Sequence, residues 1–347
     1  MTITYKYLRK CNGQSKTFRR NFLYRSNYGG VYVEVKEFKV SDNITGVYLI
    51  SGLNVKTSSN NKLYLDLKLQ DKSGEIDAKL WNVQNNEHEA YKSGDVVKVK
   101  GTVTSWQDNL QFKIEKIRLA KEDEYDVDTL VIAAPIDALK TYEDIVELVE
   151  NFESNDIKII TKTILEKYKE KLLIYPAAMS NHHSIKSGLL YHIKRMLEVG
   201  KSLASIYETV DKDLLYSGII LHDIEKVNEM DADDFGVVSD YTRDGKMLGH
   251  LIMGVKTISE VAKENNLDEE VSTLLEHMML SHHYEPEFGS PKRPMFLEAE
   301  LLHYVDIIDA RVYDFDEIEA NLDNGEFSNP IWTLDRRRVY KSNYKNK

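Results

Sequence analysis

From about residue 35 to residue 120, apolar and polar side chains alternate with a period of two. In "KLYLDLKLQD" Leu63, Leu65, Leu67 and Leu69 fall on one face and Tyr64, Asp66, Lys68 and Gln70 on the other, and "EIDAKLW" continues the pattern with Ile76, Ala78 and Leu80. These are the marks of half-buried strands, with "DKSG" as the turn between them. "GVYLISGLNVKTS" precedes this hairpin and a short helical piece, "NEHEAYKSG", follows it; "DVVKVKGTVTSW" and "LQFKIEKIRLA", split by "QDN", complete the set. Three strands, a short helix and two strands, with Gly101 where a barrel strand would bend, give the layout of an OB-fold β-barrel.

Beyond residue 139 the period becomes helical. "YEDIVELVENF", "GLLYHIKRMLEVGKSLASIY", "DLLYSGIILHDIEKV", "LGHLIMGVKTISEVAKEN" and "FLEAELLHYVDIIDARVYDF" each carry an apolar stripe, which predicts an all-α bundle up to about residue 318. The acidic stretch 121–138, with little periodicity, reads as a linker, and the basic tail "RRRVYKSNYKNK" as a solvated or frayed part of a C-terminal extension, 319–347. No repeat or low-complexity tract is present. The expected organisation is a β-barrel at 34–120 followed by a helical domain at 139–318.

Composition narrows the chemistry. The single cysteine, Cys11, excludes an intramolecular disulfide framework and a Cys-based zinc cage, so any metal must be held by histidine and carboxylate. No apolar run approaches the ~20 residues that cross a bilayer, so we expect a cytoplasmic protein without a membrane partner. The net charge of −11 hides a basic start: residues 1–33 carry seven lysines and arginines and no acid. Such a start reads as a nucleic-acid arm or a transit peptide, or more plainly as a disordered extension or a start codon placed too far upstream. On the barrel's polar face Tyr64 and Trp81 alternate with Lys68 and Lys79. Aromatics among lysines suit a single-strand binder, because any base stacks on a ring while the lysines follow the backbone. The plainer alternative is that they pack against the second domain.

The helical part holds most of the ten histidines. His192 shares a face with Leu189, Met196 and Val199 and so looks inward. His222 and Asp223 end an apolar run, one turn after Gly218, and adjacent helical residues converge on one object only if it lies off the helix end. His250 opens a helix whose next inward turn is Gly254, "LSHH" closes another at His282 and His283, and Asp306 has apolar neighbours on both sides. Singly, an inward histidine is usually a hydrogen-bonded core residue and a histidine pair at a helix end a solvated cap. Together on successive helices they would leave many buried polar groups unpartnered unless they share a metal centre.

The ordered set His192, His222-Asp223, His250, His282/His283, Asp306 resembles the HD-domain metallophosphohydrolases. With an OB-fold in front, and with "LLYSGIILHD", "LGH", "SHH" and "EAELLHYVDIIDA", the chain from about residue 34 onward is similar to the YhaM-type 3′-to-5′ exoribonucleases. The resemblance implies one metal on His192, His222, Asp223 and Asp306 and a second on His250, His282 and His283, with Asp223 bridging. Two divalent ions follow, Mn²⁺ first, with Fe, Co, Zn and Mg as the other metals such ligands accept. It implies catalytic roles for Asp223 and for Lys226, whose ammonium would neutralise a phosphate oxygen, with Lys292, Arg293 and Arg311 as further phosphate contacts and Asp309 orienting a ligand histidine. The expected activity is release of 5′-mononucleotides from the 3′ end of single-stranded RNA, with single-stranded DNA as a second substrate. The competing expectations are an HD phosphohydrolase of a small nucleotide and a non-catalytic single-strand-binding protein. The family reads HD-x-G-K where this chain has "HDIEK", so Glu225 is expected to add a ligand, repel the phosphate or face solvent; Tyr284, after the histidine pair, would narrow the entrance.

Overall fold

The computed structural model describes residues 33–344 except 59, 82, 84–88, 107–108, 127–128 and 180–184. The basic start and residues 86–88 of the predicted short helix between the third and fourth strands lie outside the described residues; the rest of that stretch, from 90 to 94, is bend, loop and turn rather than helix. The barrel contains β1 (Asn43–Thr57), β2 (Leu63–Asp71), β3 (Gly74–Trp81), β4 (Val96–Trp106) and β5 (Asn109–Leu119). It closes in the order β1-β2-β3-β5-β4, with β3 and β5 parallel and the other pairs antiparallel, as an OB-fold requires. The alternation reads through: Leu65, Leu67, Leu69, Ile76 and Ala78 are buried with Tyr48 and Phe112. Leu63 departs from it, because it begins β2 at the barrel's rim and is exposed. Gly101 is required where β4 shifts register against β5, since a Cβ there would collide with the Lys113 carbonyl.

The second domain holds α1 (Ala138–Glu150), α2 (Asn155–Leu172), α3 (Gly188–Ile206), α4 (Lys212–Leu221), α5 (Lys226–Glu229), α6 (Arg243–Glu264), α7 (Glu269–Ser281) and α8 (Leu297–Ala320). Side-chain caps fix the starts of α1, α2, α4, α6 and α7 at Asp137, Ser154, Asp211, Thr242 and Asp268. Between α5 and α6 the chain forms a two-stranded hairpin, β6 (Met230–Ala232) and β7 (Val238–Tyr241), where the sequence suggested helices throughout. Its turn is built by Asp233, which accepts from the Phe235 and Val237 amides, and by Gly236 at φ +78°.

Two further segments behave differently from their composition. The linker is not a free tether: Leu130 and Val131 are buried with Leu49 and Val96 of the barrel, and Phe235 and Val237 of the hairpin pack on the same cluster. The C-terminal extension folds back, burying Leu334 and Val339, with isolated bridges between Phe327 and Tyr340 and between Ile331 and Arg337. Its basic residues mask these apolar anchors in the sequence.

Candidate metal centre

All seven candidate ligands come together in two adjoining groups. Asp223, His250, His282 and His283 form one and His192, His222 and Asp306 the other; within each, one ligand atom per residue lies within 4.8 Å of the rest. The helices are arranged to make this possible. His222 ends α4, and Gly218 one turn earlier lets α7 approach so closely that a Cβ would collide with the Met278 methyl. Gly249, at φ +71°, breaks α6 so that His250 begins a fresh helical run. His282 ends α7, and Asp306 and Asp309 lie three residues apart on α8.

Each buried histidine is oriented by its Nδ1. That atom donates to the Ile219 carbonyl in His222 (2.8 Å), to the Met279 carbonyl in His282 (3.0 Å), to Glu229 in His250 (3.0 Å) and to Asp309 in His192 (2.8 Å). A proton fixed on Nδ1 leaves the Nε2 lone pair for a metal. The Nε2 atoms of His222, His250 and His282 and the Oδ1 of Asp223 are buried and have no hydrogen-bond partner. Buried polar atoms in that state are rare and costly, so a converging set of imidazole and carboxylate donors fits divalent cations. Asp223 faces both groups: Oδ1 lies 3.3 Å from His250 Nε2 and 3.8 Å from His282 Nε2, while Oδ2 lies 3.3 Å from His222 Nε2 and 2.6 Å from Lys226 Nζ.

The electrostatics follow from this crowding. Burial opposes ionisation of Asp223, but Lys226 and the histidines outweigh it and hold the carboxyl well below its usual range. Burial also opposes the Lys226 charge, yet Asp223 keeps its pKa raised. Burial, with His283 and His222 beside it, pushes His282 well down, so this ligand is neutral. His192 behaves oppositely. Burial lowers it, but Asp306 and Asp309 prevail and push it up to about 9. A cation on Nε2 must therefore displace a proton below that pH. Metal affinity of the His192 group is expected to rise about tenfold per pH unit up to about 9 and then level, with about one proton released per ion bound; calorimetry in buffers of different ionisation enthalpy measures this, and a flat affinity between pH 7 and 9 would contradict it.

The supporting residues were only partly foreseen. Asp309 does orient His192, and it is itself held by Arg195 Nε at 2.5 Å. Glu229, which binds both the amide and the Nδ1 of His250, was missed. Asking which carboxylate lies about one turn beyond the Asp223–Lys226 pair would have found it. His303 donates to the His282 carbonyl at 2.7 Å and steadies that end of α7. Asp309→Asn is expected to weaken metal binding about ten- to a hundredfold, measured by titrating metal into chelator-stripped protein; an unchanged affinity would remove Asp309 from the site's support.

Glu225 takes none of the three courses expected of it. It is 2% exposed and turned away from the ligands: Oε1 accepts from the hydroxyls of Tyr168 on α2 and Thr257 on α6, each at 2.6 Å, and Oε2 accepts from Asn228 at 2.8 Å. Tyr284, at φ +68°, stacks beside His303 with ring centroids 4.7 Å apart, and the Arg293 guanidinium lies over its ring. Arg293 is also paired with Glu285 at 2.8 Å. Arg311 binds the Thr333 carbonyl and Asp335, which fastens the C-terminal segment to α8, a task the sequence did not suggest. Lys292 is exposed.

On the barrel Tyr64 and Trp81 are cross-strand partners that stack at 4.5 Å, with Lys79 Nζ 5.3 Å from the Tyr64 centroid. Trp81 is 42% exposed, so the pair is not sealed under the helical domain. Lys68 pairs with Glu75 and Lys79 with Asp66, each at 3.2 Å. Sequence reading missed Lys113, which lies beside Lys79 in the register of β3 and β5, and Trp106, 68% exposed at the end of β4.

Comparison with known proteins agrees with this layout. Residues 49–120 match the family model of the OB-fold nucleic acid binding domain and residues 189–311 that of the HD domain. The chain is 39% identical over 308 residues to the 3′-5′ exoribonuclease YhaM of Geobacillus sp. (strain WCH70), covering 88% of this chain and 94% of that one. Among solved structures, the second OB-fold domain of replication protein A from Methanococcus maripaludis is 19% identical, with 26% of this chain and 96% of that chain covered and a TM-score of 0.22. A crystal structure of a domain of the same protein gives 22%, 26%, 98% and 0.23. An HD domain behind an OB-fold, matched over nearly the whole length of the curated relative, shows that the chain belongs to the YhaM family of 3′-5′ exoribonucleases.

Proposed function

We propose that this protein is a divalent-metal-dependent exoribonuclease that removes 5′-mononucleotides from the 3′ end of single-stranded RNA, with single-stranded DNA as a second substrate. The observation that carries the reading is the convergence of orphaned Nε2 atoms on the buried Asp223 carboxylate, those of His250 and His282 at Oδ1 and that of His222 at Oδ2. In this reading His192, His222 and Asp306 hold one ion, His250, His282 and His283 a second, and Asp223 bridges, with Mn²⁺ the proposed metal. Bound there, two cations supply the Lewis acidity that activates water and steadies the charge of an in-line phosphodiester displacement.

The chain's own groups do the rest. Lys226, half-buried and charged beside Asp223, is placed to take a non-bridging phosphate oxygen as substrate arrives. Asp309 and Glu229 keep His192 and His250 in the tautomer that presents Nε2 inward. Tyr64 and Trp81 offer a face on which a base stacks whatever its identity, which suits an enzyme that must accept every sequence it meets. Trp81→Ala is expected to raise KM for a long single strand roughly five- to a hundredfold, the effect of one lost stacking contact of ~1–3 kcal/mol, with kcat little changed; steady-state kinetics on a labelled oligomer would show it, and an unaltered KM would remove Trp81 from the interface.

The reading itself is tested by a time course on 5′-labelled single-stranded RNA with Mn²⁺, beside an EDTA control and a DNA oligomer of the same sequence. A ladder shortening from the 3′ end, absent in EDTA, supports it, and the DNA arm shows whether single-stranded DNA is a second substrate. Hydrolysis of nucleotides with the oligomer left intact would favour a small-nucleotide phosphohydrolase instead.

A further inference from the structure

A cleft of about 610 Å³ separates the barrel from the helical domain. Gln70, Glu75 and Lys68 of β2 and β3 form its barrel wall; Ile132 of the connecting segment, Lys186, Phe235 and Tyr313 form the other side, and Thr333 closes one edge. Its size lies in the range of ordinary ligand sites. Its position relates both to the barrel's outer face and to the helices of the metal centre.

The outer face of β2 and β3 leads into the cleft. Along this ribbon the register pairs Tyr64 with Trp81, Asp66 with Lys79, Lys68 with Asp77 and Gln70 with Glu75. These side chains share one face, so the aromatic stack stands at one end of a strip whose other end opens into the cleft. From Tyr64 to Gln70 is about 20 Å of strand.

Helix α8, which carries Asp306, and segments adjoining the other site residues also wall the cleft. Asp306 and Tyr313 are seven residues apart and so lie on one stripe of α8, about 10 Å along its axis. Lys186 lies six residues before His192 at the mouth of α3, and Phe235 lies six residues after Glu229 in the β6–β7 hairpin. On α8 the cleft wall thus lies about two turns from Asp306, and Lys186 and Phe235 follow or precede site residues closely in the chain.

Resting on the exoribonuclease reading, we propose that the nucleic-acid strand passes from the Tyr64–Trp81 stack along the β2–β3 face and through this cleft to the metal centre. The mixed charge of the walls fits a passage rather than a clamp. Lys68 and Lys186 attract phosphates, while Glu75 and Glu317, which also line the cleft, limit the hold; a strand that must advance after every cut would be slowed by a tight phosphate grip. Adding the ~20 Å of strand, the cleft and the ~10 Å of helix gives about 40 Å. A stretched single strand extends roughly twice the ~3.4 Å rise of a stacked one, so about six nucleotides bridge the two sites.

The path is tested by comparing kcat/KM for 5′-labelled RNA of three, five, seven, ten and fourteen nucleotides with Mn²⁺. The expected result is a rise of at least tenfold between five and ten nucleotides and a plateau beyond. A tryptophan plug placed in the cleft, Ile132→Trp in one protein and Thr333→Trp in another, is expected to lower the ratio of ten-mer to trimer kcat/KM at least tenfold. Both positions are exposed or partly exposed, and the two plugs come from different edges, so a folding failure in one leaves the other informative. Equal rates on all lengths, or plugs in both folded variants that leave the ratio unaltered, would overturn the path alone. Failure to shorten either trimer or ten-mer would overturn the nuclease reading and the path with it.

Discussion

Asp223→Asn is expected to lower kcat/KM on single-stranded RNA about ten-thousandfold, the scale seen when a central member of a catalytic unit is removed. Its carboxylate faces both ligand groups: Oδ1 faces His250 and His282, and Oδ2 faces His222 and Lys226. Asparagine keeps the volume but replaces an anionic oxygen with an amide that donates, so one group loses its shared ligand and Lys226 loses its counter-charge. The second loss is costly in itself, because a buried ammonium without its partner destabilises by about 3–5 kcal/mol when nothing replaces the partner; the amide oxygen softens that penalty. Single-turnover kinetics with saturating Mn²⁺, with circular dichroism to verify the fold, would make the comparison. A loss of less than tenfold in a folded protein would show that Asp223 does not bridge the ions.

Restoring the family's HD-x-G-K pattern is expected to damage this protein rather than improve it. Glu225→Gly removes an acceptor bonded to Tyr168, Thr257 and Asn228 and leaves three buried or half-buried donors without it. Each costs about 1–3 kcal/mol when unsatisfied, and glycine adds about 0.5–1 kcal/mol of backbone entropy. The sum, reduced by whatever water enters, is on the order of 4 kcal/mol, or about 10 °C in Tm for a domain of this size. Glu225→Gln, which keeps one acceptor oxygen, is expected to fall between. Thermal unfolding of the three proteins in EDTA, so that bound metal does not mask the difference, decides the matter; equal Tm values would mean that the three hydrogen bonds stabilise nothing.

The fold was legible where one physical rule dominates. In β2 and β3 the inward positions Leu65, Leu67, Leu69, Ile76, Ala78 and Leu80 are all aliphatic, so period two gives both the strands and their buried face. In the helical domain the ligands were legible because histidine and aspartate have no reason to sit inside apolar stripes unless something pays for their burial. What escaped lay where a residue's role depends on a neighbour distant in sequence. Glu225 reads as an anomaly in "HDIEK" until Tyr168 and Thr257 are seen beside it. Arg311 reads as a free cation until the chain returns at Thr333. The hairpin at 230–241 escaped because its short strands carry too few residues to show a period, and its turn is set by a single aspartate and a glycine.

The buried cluster of Leu49, Val96, Leu130 and Val131, capped by Phe235 and Val237, bears on how the two halves can be handled. It draws side chains from the barrel, the connecting segment and the helical domain's hairpin, so it exists only when all three are present. Cutting the chain after residue 120 would bare Leu49 and Val96 on the barrel and Phe235 and Val237 on the hairpin at once. The OB-fold here is therefore not a detachable cassette: grafted onto another enzyme it would carry a greasy scar, and each half made alone would tend to self-associate. Swapping barrels between relatives would need residues 121–137 and the hairpin tip to travel with them.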